Sequence, residues 1–507
     1  MWRSRCASHR AVSALVLVTF GLGCSTWKSP QLAPEQVLAS KRPDHVRVIQ
    51  TSGAQLELWN PRVTNDSLVG TLERIGSTRF SGVPLADIRE VQVRGVSAGK
   101  TVLLAAGIGV TVLLVAAAVM EDEEYFSRPD TLNSCPLVYS WDGSRWRLDS
   151  GTFGGAIMPA LARTDVDNLL YPKDSDGTVR LRVANESRET DHLDYLAVLA
   201  VDHRPGTAVV PDGEGRLQSV IALQAPMEAK DFGGRDVLTR VGLSDGWSWE
   251  STPGGRDSSR AADVRDGIEL SFRRPPGATS ARLFVDASNT AWAQFMMSRF
   301  VRLHGTATET WYDSVAADRQ LVQRIGGMMT REVFLSVAVK VDGRWEPQDV
   351  VREAGPEVAK QQVVPLDLSR VKGDTVSVRL ESAPSLWLVD RVAIDYSPAE
   401  QFTAREITPR RAVDRSGLDV LHLLKAVDAR EYVMERGDAA ILTFVVPPVP
   451  RDRRRSYVLV SRGWYRLHVP ATAEPQFALL ERVLGEPLAA SRLITGDLRR
   501  ALATLEQ

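Results

Sequence analysis

Strict alternation of apolar and polar positions runs through much of this chain. Val179, Leu181 and Val183 alternate with Thr178, Arg180 and Arg182, and Val376, Val378 and Leu380 repeat the pattern far downstream. Successive strand side chains point to opposite faces, so these segments predict half-buried antiparallel strands of the kind that build sandwiches. Residues 137–141, then Asp142 and Gly143, then 146–148 predict a hairpin, because Asp and Gly accept the positive φ of a tight turn. Residues 339–341 with Asp342, Gly343 and Trp345 give a second copy. Between 46 and 96, Leu56 and Leu58 alternate with Gln55 and Glu57, and Val91 and Val93 with Glu90, Gln92 and Arg94, which predicts short strands in a small barrel. Helical spacing is confined to three places. Trp292, Phe295, Met296, Phe300 and Leu303 share a face after an Asn289 cap, and Trp311, Val315, Val322 and Ile325 follow until Gly326 and Gly327. After Pro487, a stripe of Ile494, Leu498, Ala501, Leu502 and Leu505 is expected to dock on the last β domain.

The fold expected is mainly β: a small N-terminal β barrel, one hydrophobic helix, then a large antiparallel β-sandwich-like region with a few helices. A chain of 507 residues exceeds one hydrophobic core, so about two to four domains are expected. The boundaries read as a signal peptide at 1–23, a linker at 24–45, the barrel at 46–97, the hydrophobic helix at 98–120 and an acidic linker at 121–134. Three β segments then follow, 135–265, 266–400 and 401–507. Residues 101–120 are apolar apart from two threonines, and at about 1.5 Å per residue they reach roughly 30 Å, the hydrocarbon thickness. Lys100 before them and the acidic cluster from Glu121 to Glu124 after them place the upstream side in the cytoplasm by charge bias. That conflicts with an exported N-terminus, and it leaves open which side residues 121–507 face.

Arg3, Arg5 and Arg10, the apolar run 11–22, then Gly23 and Cys24 have the layout of a secretory signal. The segment resembles a bacterial lipoprotein signal, with glycine at 21 where leucine is commonest. That resemblance implies acylation of Cys24, which becomes the new N-terminus, and a place in the cell envelope at the outer membrane or the periplasmic face of the inner membrane. The barrel segment resembles SH3-like and Sm-like barrels in pattern alone. The opening of the large region, Cys135, Pro136, Leu137, Val138, Tyr139, Ser140, Trp141, Asp142 and Gly143, resembles a stretch of an uncharacterised family of exported bacterial β-rich proteins. The likeness extends through Gly154, Gly155, Ala156 and Asn185, Glu186, and implies no known activity.

Charge is balanced, with 62 basic and 63 acidic side chains, so no basic excess points to a nucleic-acid partner. Of 3 cysteines, Cys6 leaves with the signal, Cys24 carries lipid and Cys135 remains, so no intrachain disulfide is expected. Cys135 reads as a small buried hydrophobe. Asp174 and Asp176 with Gly177 form part of a calcium-loop pattern, and Asp165 and Asp167 are further carboxylates; a solvated turn is the plainer reading. His192 and His203 with Asp191, Asp194 and Asp202 flank one apolar strand, whose length separates its ends by more than about 20 Å and argues against a joint site. Trp247 and Trp249 alternate around Ser248 and would turn both rings to one side, where they could stack on sugar. Arg451, Asp452, Arg453, Arg454 and Arg455 read as a solvated hairpin loop, or as a site for an anionic envelope polymer. No GxSxG elbow, HExxH or phosphate loop is present. The expectation is a lipid-anchored envelope protein without cofactor or catalytic activity. Its partners would be the lipid bilayer and other envelope proteins or polysaccharide, with carbohydrate binding or a cryptic envelope hydrolase as alternatives.

Overall fold

The alternation is realised as antiparallel pairing throughout. A computed structural model describes residues 25–28, 45–50, 55–64, 67–71, 80–85, 88–96 and 135–505, the last span without 245, 247, 252–263, 316, 353, 429 and 471. Cys24, the apolar stretch 101–120 and Trp247 lie outside the described residues. Among those described, no helix is long and apolar enough to cross a membrane. The chain divides into two compact units, one of residues 1–107 with 244–247 and one of the remainder.

The N-terminal unit holds one six-stranded antiparallel sheet, in the order β1 (Ser25–Lys28), β6 (Ile88–Val96), β2 (His45–Gln50), β3 (Gln55–Thr64), β4 (Ser67–Thr71) and β5 (Phe80–Pro84). Val46, Val48, Leu58, Leu68, Val83 and Val91 form its core, as the alternation requires. The sheet corrects the expected barrel, because it is open: β5 has β4 as its neighbour, and β1 takes the edge of β6 at Val93 to Val96. β1 itself lies in the segment expected to be linker.

In the large unit, two sandwiches share the strands in an order that sequence position does not reveal. One sheet of the first runs β24 (Arg411–Asp414), β26 (Ala439–Val445), β10 (Thr178–Ala184), β7 (Leu137–Trp141), β8 (Trp146–Gly151). Its mate runs β23 (Thr403–Ile407), β11 (Glu189–His203), β27 (Arg454–Leu467), β9 (Arg163–Leu169), with β25 (Tyr432–Met434) also on β11. Leu181, Phe444, Val198 and Leu459 meet between these sheets. The second sandwich pairs β14 (Glu228–Asp231), β16 (Asp266–Arg273), β21 (Thr375–Ser382), β18 (Leu335–Val341) and β19 (Arg344–Val351) with β15 (Trp249–Glu250), β22 (Trp387–Asp395), β17 (Ser280–Asn289) and β20 (Lys360–Asp367). Leu270, Val378, Val285 and Ile394 fill its core, and the hairpin β12 (Ala208–Pro211) and β13 (Leu217–Val220) precedes it.

The boundaries near 265 and 400 therefore do not separate the strands. Residues 137–203 and 403–467 build one host sandwich, and 208–395 form an insert between β11 and β23. The two ends of the insert are neighbours, since Asp202 of β11 pairs with Thr403 of β23.

Helices fasten insert to host. In α1 (Ala291–Arg302), Trp292, Phe295 and Met296 join the insert core, while Phe300 and Val301 join the host core. Its cap is Thr290, whose side chain accepts from the Ala293 amide at 3.1 Å. Asn289, the expected cap, instead accepts from the Ala354 and Gly355 amides at 3.0 and 3.1 Å. After α2 (Thr308–Val315), α3 (Arg319–Met328) runs through Gly326 and Gly327 into a π turn, Met329–Val333. Then come α4 (Phe477–Gly485) and α5 (Ala489–Leu505). The stripe of α5 enters the insert core through Ile494, Leu498 and Ala501, where docking on the final β segment was expected. Glu332 of the π turn is 2% exposed and accepts from the Leu488 and Ser491 amides at 2.9 and 2.7 Å. It places a carboxylate on the free N–H groups and positive dipole end of α5. Glu332→Ala is expected to reduce stability by about 2 kcal/mol in chemical denaturation, with Glu332→Gln keeping part of it. A loss within error for both variants would mean that α5 is not held by this contact.

Candidate functional site

Ionisable groups gather where β20 of the insert crosses the host. Strand periodicity puts Asp165 and Asp167 of β9 on one face, and Lys360 opens β20 opposite them. Lys360 Nζ lies 2.6 Å from Asp165 Oδ2 and 2.7 Å from Asp167 Oδ1, with the lysine 8% exposed. The Phe153 amide donates to Asp165 at 2.7 Å and Ser150 Oγ to Asp167 at 2.9 Å. Beside them is a cavity of about 190 Å³, lined also by Arg163, Asp212, Arg352 and Gln362. Burial alone would raise Asp165, but Lys360 and Arg163 outweigh it and hold the carboxyl below its usual range. Burial, then the Asp165 charge, push Asp167 up to about 6. Burial by itself would lower Lys360, and the two aspartates more than reverse that.

A second group starts β11. Glu189 and Asp191 share a face by their spacing and are 1% and 0% exposed. Burial first, then the adjacent Asp191 charge, hold Glu189 well above the carboxylate range. Burial likewise raises Asp191 strongly, against a hydrogen bond with Glu189. Two adjacent buried carboxyls titrate as a pair rather than singly. Cys135, 2% exposed with φ of 76°, sits in their field, and burial followed by the Glu189 charge drives its thiol well up. An activated cysteine needs the opposite surroundings.

Glu189 also borders a cleft of about 580 Å³ with Arg188, Glu309, Glu435, Arg436 and His468. Two of these lining residues share a partner: Thr190 Oγ1 donates to Glu435 Oε1 at 3.0 Å and lies 2.8 Å from His468 Nε2. The hydroxyl, between carboxylate and imidazole, is committed to the carboxylate, which is not the order of a nucleophile–base–acid relay.

The residues singled out from sequence fall elsewhere. Asp174 and Asp176 are exposed, and Asp174 Oδ1 accepts from the Gly177 amide at 2.9 Å. Asp176 and Gly177, with φ of 53° and 73°, make the two-residue turn closed by Ser175 and Thr178, so this is a solvated hairpin turn. Asp165 and Asp167 are engaged with Lys360. Among the described residues no three His, Cys, Asp or Glu side chains converge as metal ligands. Trp249 is 4% exposed within the insert core, paired through β15 to Val389, so its ring is not available for stacking on a sugar. His192 stacks on Trp464 with centroids 3.8 Å apart and meets Glu431 at 2.8 Å, whereas His203, at the other end of β11, contacts Ser456 Oγ at 2.8 Å. They form no joint site. Arg455 leaves the basic loop and binds Asp202 with both nitrogens at 2.7 Å.

The acid pair had a signal in the sequence, since Glu189, Asp191 and Leu193 alternate on a face that proves buried. Lys360 had none, because nothing local to 360–367 tells that two aspartates from β9 wait opposite. The class defined by the fold is a two-sandwich antiparallel β protein with an inserted second sandwich. No protein-family model matches the chain, and neither does any curated protein.

Proposed function

We propose that this is a lipid-anchored protein of the bacterial cell envelope with a non-catalytic binding or scaffolding role, tethered through Cys24. The observation that carries the non-catalytic part is the mutual neutralisation of its buried ionisable groups. Lys360 is locked between two aspartates, burial holds Glu189 and Asp191 well above the carboxylate range, and the Cys135 thiol is driven upward. A nucleophile or general base at neutral pH needs the reverse settings. The tether rests on the basic and apolar segment that ends at Cys24, and in this reading residues 101–120 also lie in or against the bilayer. Cys24→Ser is expected to move the protein from the membrane fraction to the soluble fraction of spheroplast lysates when 101–120 are also replaced by a polar linker. Mass spectrometry of the purified wild type should show an acylated Cys24 as first residue. An unprocessed Met1 with an unmodified Cys24 overturns the tether.

A further inference from the structure

We infer that the outward face of the host sheet β24, β26, β10, β7, β8 binds an acidic polysaccharide, with Trp141 and Trp146 as the stacking surface and Arg180 as the carboxylate-binding group. This names a ligand for the binding role proposed above and rests on that reading.

The sheet register lines up its outward positions in rows. Ile441, Arg182 and Tyr139 stand side by side in one row, and Thr443 and Arg180 lead to Trp141 and Trp146 in the next. By strand alternation no outward position of these five strands carries a carboxylate, whereas the solvent face of an ordinary antiparallel sheet mixes both signs. Ile441, in the row of Arg182, and Val445, one row beyond Arg180, are 44% and 57% exposed, so apolar surface beside the basic positions is open. Acids reach this face at its Tyr139 end: Glu186, just past β10, is engaged by Tyr139 Oη at 2.8 Å and Arg182 at 3.8 Å, and Glu357 adds its charge nearby. Arg180 has no carboxylate within ion-pair distance among the described residues. Its guanidinium lies 4.4 Å from the Trp141 ring centroid and 6.0 Å from that of Trp146.

That geometry pre-positions the group. Stacking occupies the flat face of a guanidinium and leaves its N–H edge to grip a carboxylate with two parallel bonds. The two indoles meet edge to face, with centroids 5.3 Å apart and planes at 67°. They thus offer ring surface in two orientations to the C–H faces of sugar rings. An extended chain of uronic acids supplies both features in repeat, ring faces for the tryptophans and carboxylates for Arg180. Single-stranded nucleic acid also combines rings with anions, but the charge balance of 62 to 63 lacks the basic excess that phosphate tracking uses.

The test is affinity electrophoresis of the purified full chain through gels containing polygalacturonate, with dextran as the neutral polymer. The wild type is expected to be retarded by polygalacturonate and not by dextran. Arg180→Ala, and separately Trp146→Ala, should weaken that retardation by about tenfold, with melting temperatures near the wild-type value. Should Trp146→Ala unfold the hairpin, Arg180→Glu still reads the same face with both indoles kept. Equal retardation of wild type and Arg180→Glu overturns the proposal, as do equal retardation by dextran, an unretarded wild type, and displacement by oligo(dT) at lower concentration than by polygalacturonate. This assay does not depend on the tether. An unretarded wild type whose Cys24 is acylated removes the ligand and leaves the envelope placement, and retention with an unmodified Cys24 does the reverse.

Discussion

Lys360→Ala should lower the unfolding free energy by about 3–5 kcal/mol in urea titrations, because it leaves two buried aspartates without their counter-charge. The size of the loss comes from the asymmetry of buried ion pairs. Forming one gains little net stability, since removing the ions from water offsets their attraction, while deleting one partner strands the other. The same reasoning predicts rescue. Lys360→Met combined with Asp165→Asn and Asp167→Asn should recover most of the loss, as no charge then remains to be desolvated. Because Lys360 lies on the insert and both aspartates on the host, the single variant should also loosen the junction, seen as faster amide exchange in β9 and β20. A change below about 1 kcal/mol for Lys360→Ala would mean that water reaches the triad and screens it.

The pH dependence of stability supplies the second large effect. Glu189 and Asp191 have folded-state pKa values well above their ordinary 4.5 and 3.8, and Asp167 is pushed up to about 6. For an acid raised on folding, the native chain holds more protons than the unfolded chain once pH passes the unfolded value, so stability falls as pH rises. The slope is about 1.4 kcal/mol per pH unit for each proton so retained. Asp165 and other carboxyls lowered on folding, Asp212 and Asp395 among them, work in the opposite sense, but their contribution is complete above their unfolded values and adds no further slope there. Above about pH 5 stability should therefore decline as pH rises, and Glu189→Gln with Asp191→Asn should flatten that decline. An unchanged slope in the double variant would place the retained protons elsewhere.

What the sequence disclosed was set by the range of the interaction that fixes each feature. Both Asp–Gly hairpins appear where the pattern puts them: Asp342 and Gly343, with φ of 46° and 82°, form a two-residue turn, whereas the first loop takes four residues, 142–145, and only Gly143, at 96°, has the positive φ expected of both Asp and Gly. Faces of strands were equally legible, since Val179, Leu181 and Val183 are fully buried and Thr178, Arg180 and Arg182 are not. Pairing was not, for alternation says that a strand has a dry side without saying which strand lies beside it. Leu181 faces Leu442, and a reader of the sequence meets an entire second sandwich before arriving there. Trp249 shows the same limit: its spacing from Trp247 speaks of a shared side but not of whether that side is wet. The polar face around Arg180 went unread because its rows join β7 and β8 to strands from the far end of the chain.

The inserted sandwich orders the birth of this protein in time. As the polypeptide is delivered from its N-terminus, residues 208–395 emerge with every strand of their own sheets, while β11 must wait for β27, whose fourteen residues arrive only at 454–467. Until then the host presents bare strand edges, the form of a nascent chain most prone to clumping, and a guardian chaperone has its longest task in that interval. A polypeptide cut short near residue 400 would leave a half-built shell around an insert whose sheets are complete but whose core lacks Ile494, Leu498 and Ala501.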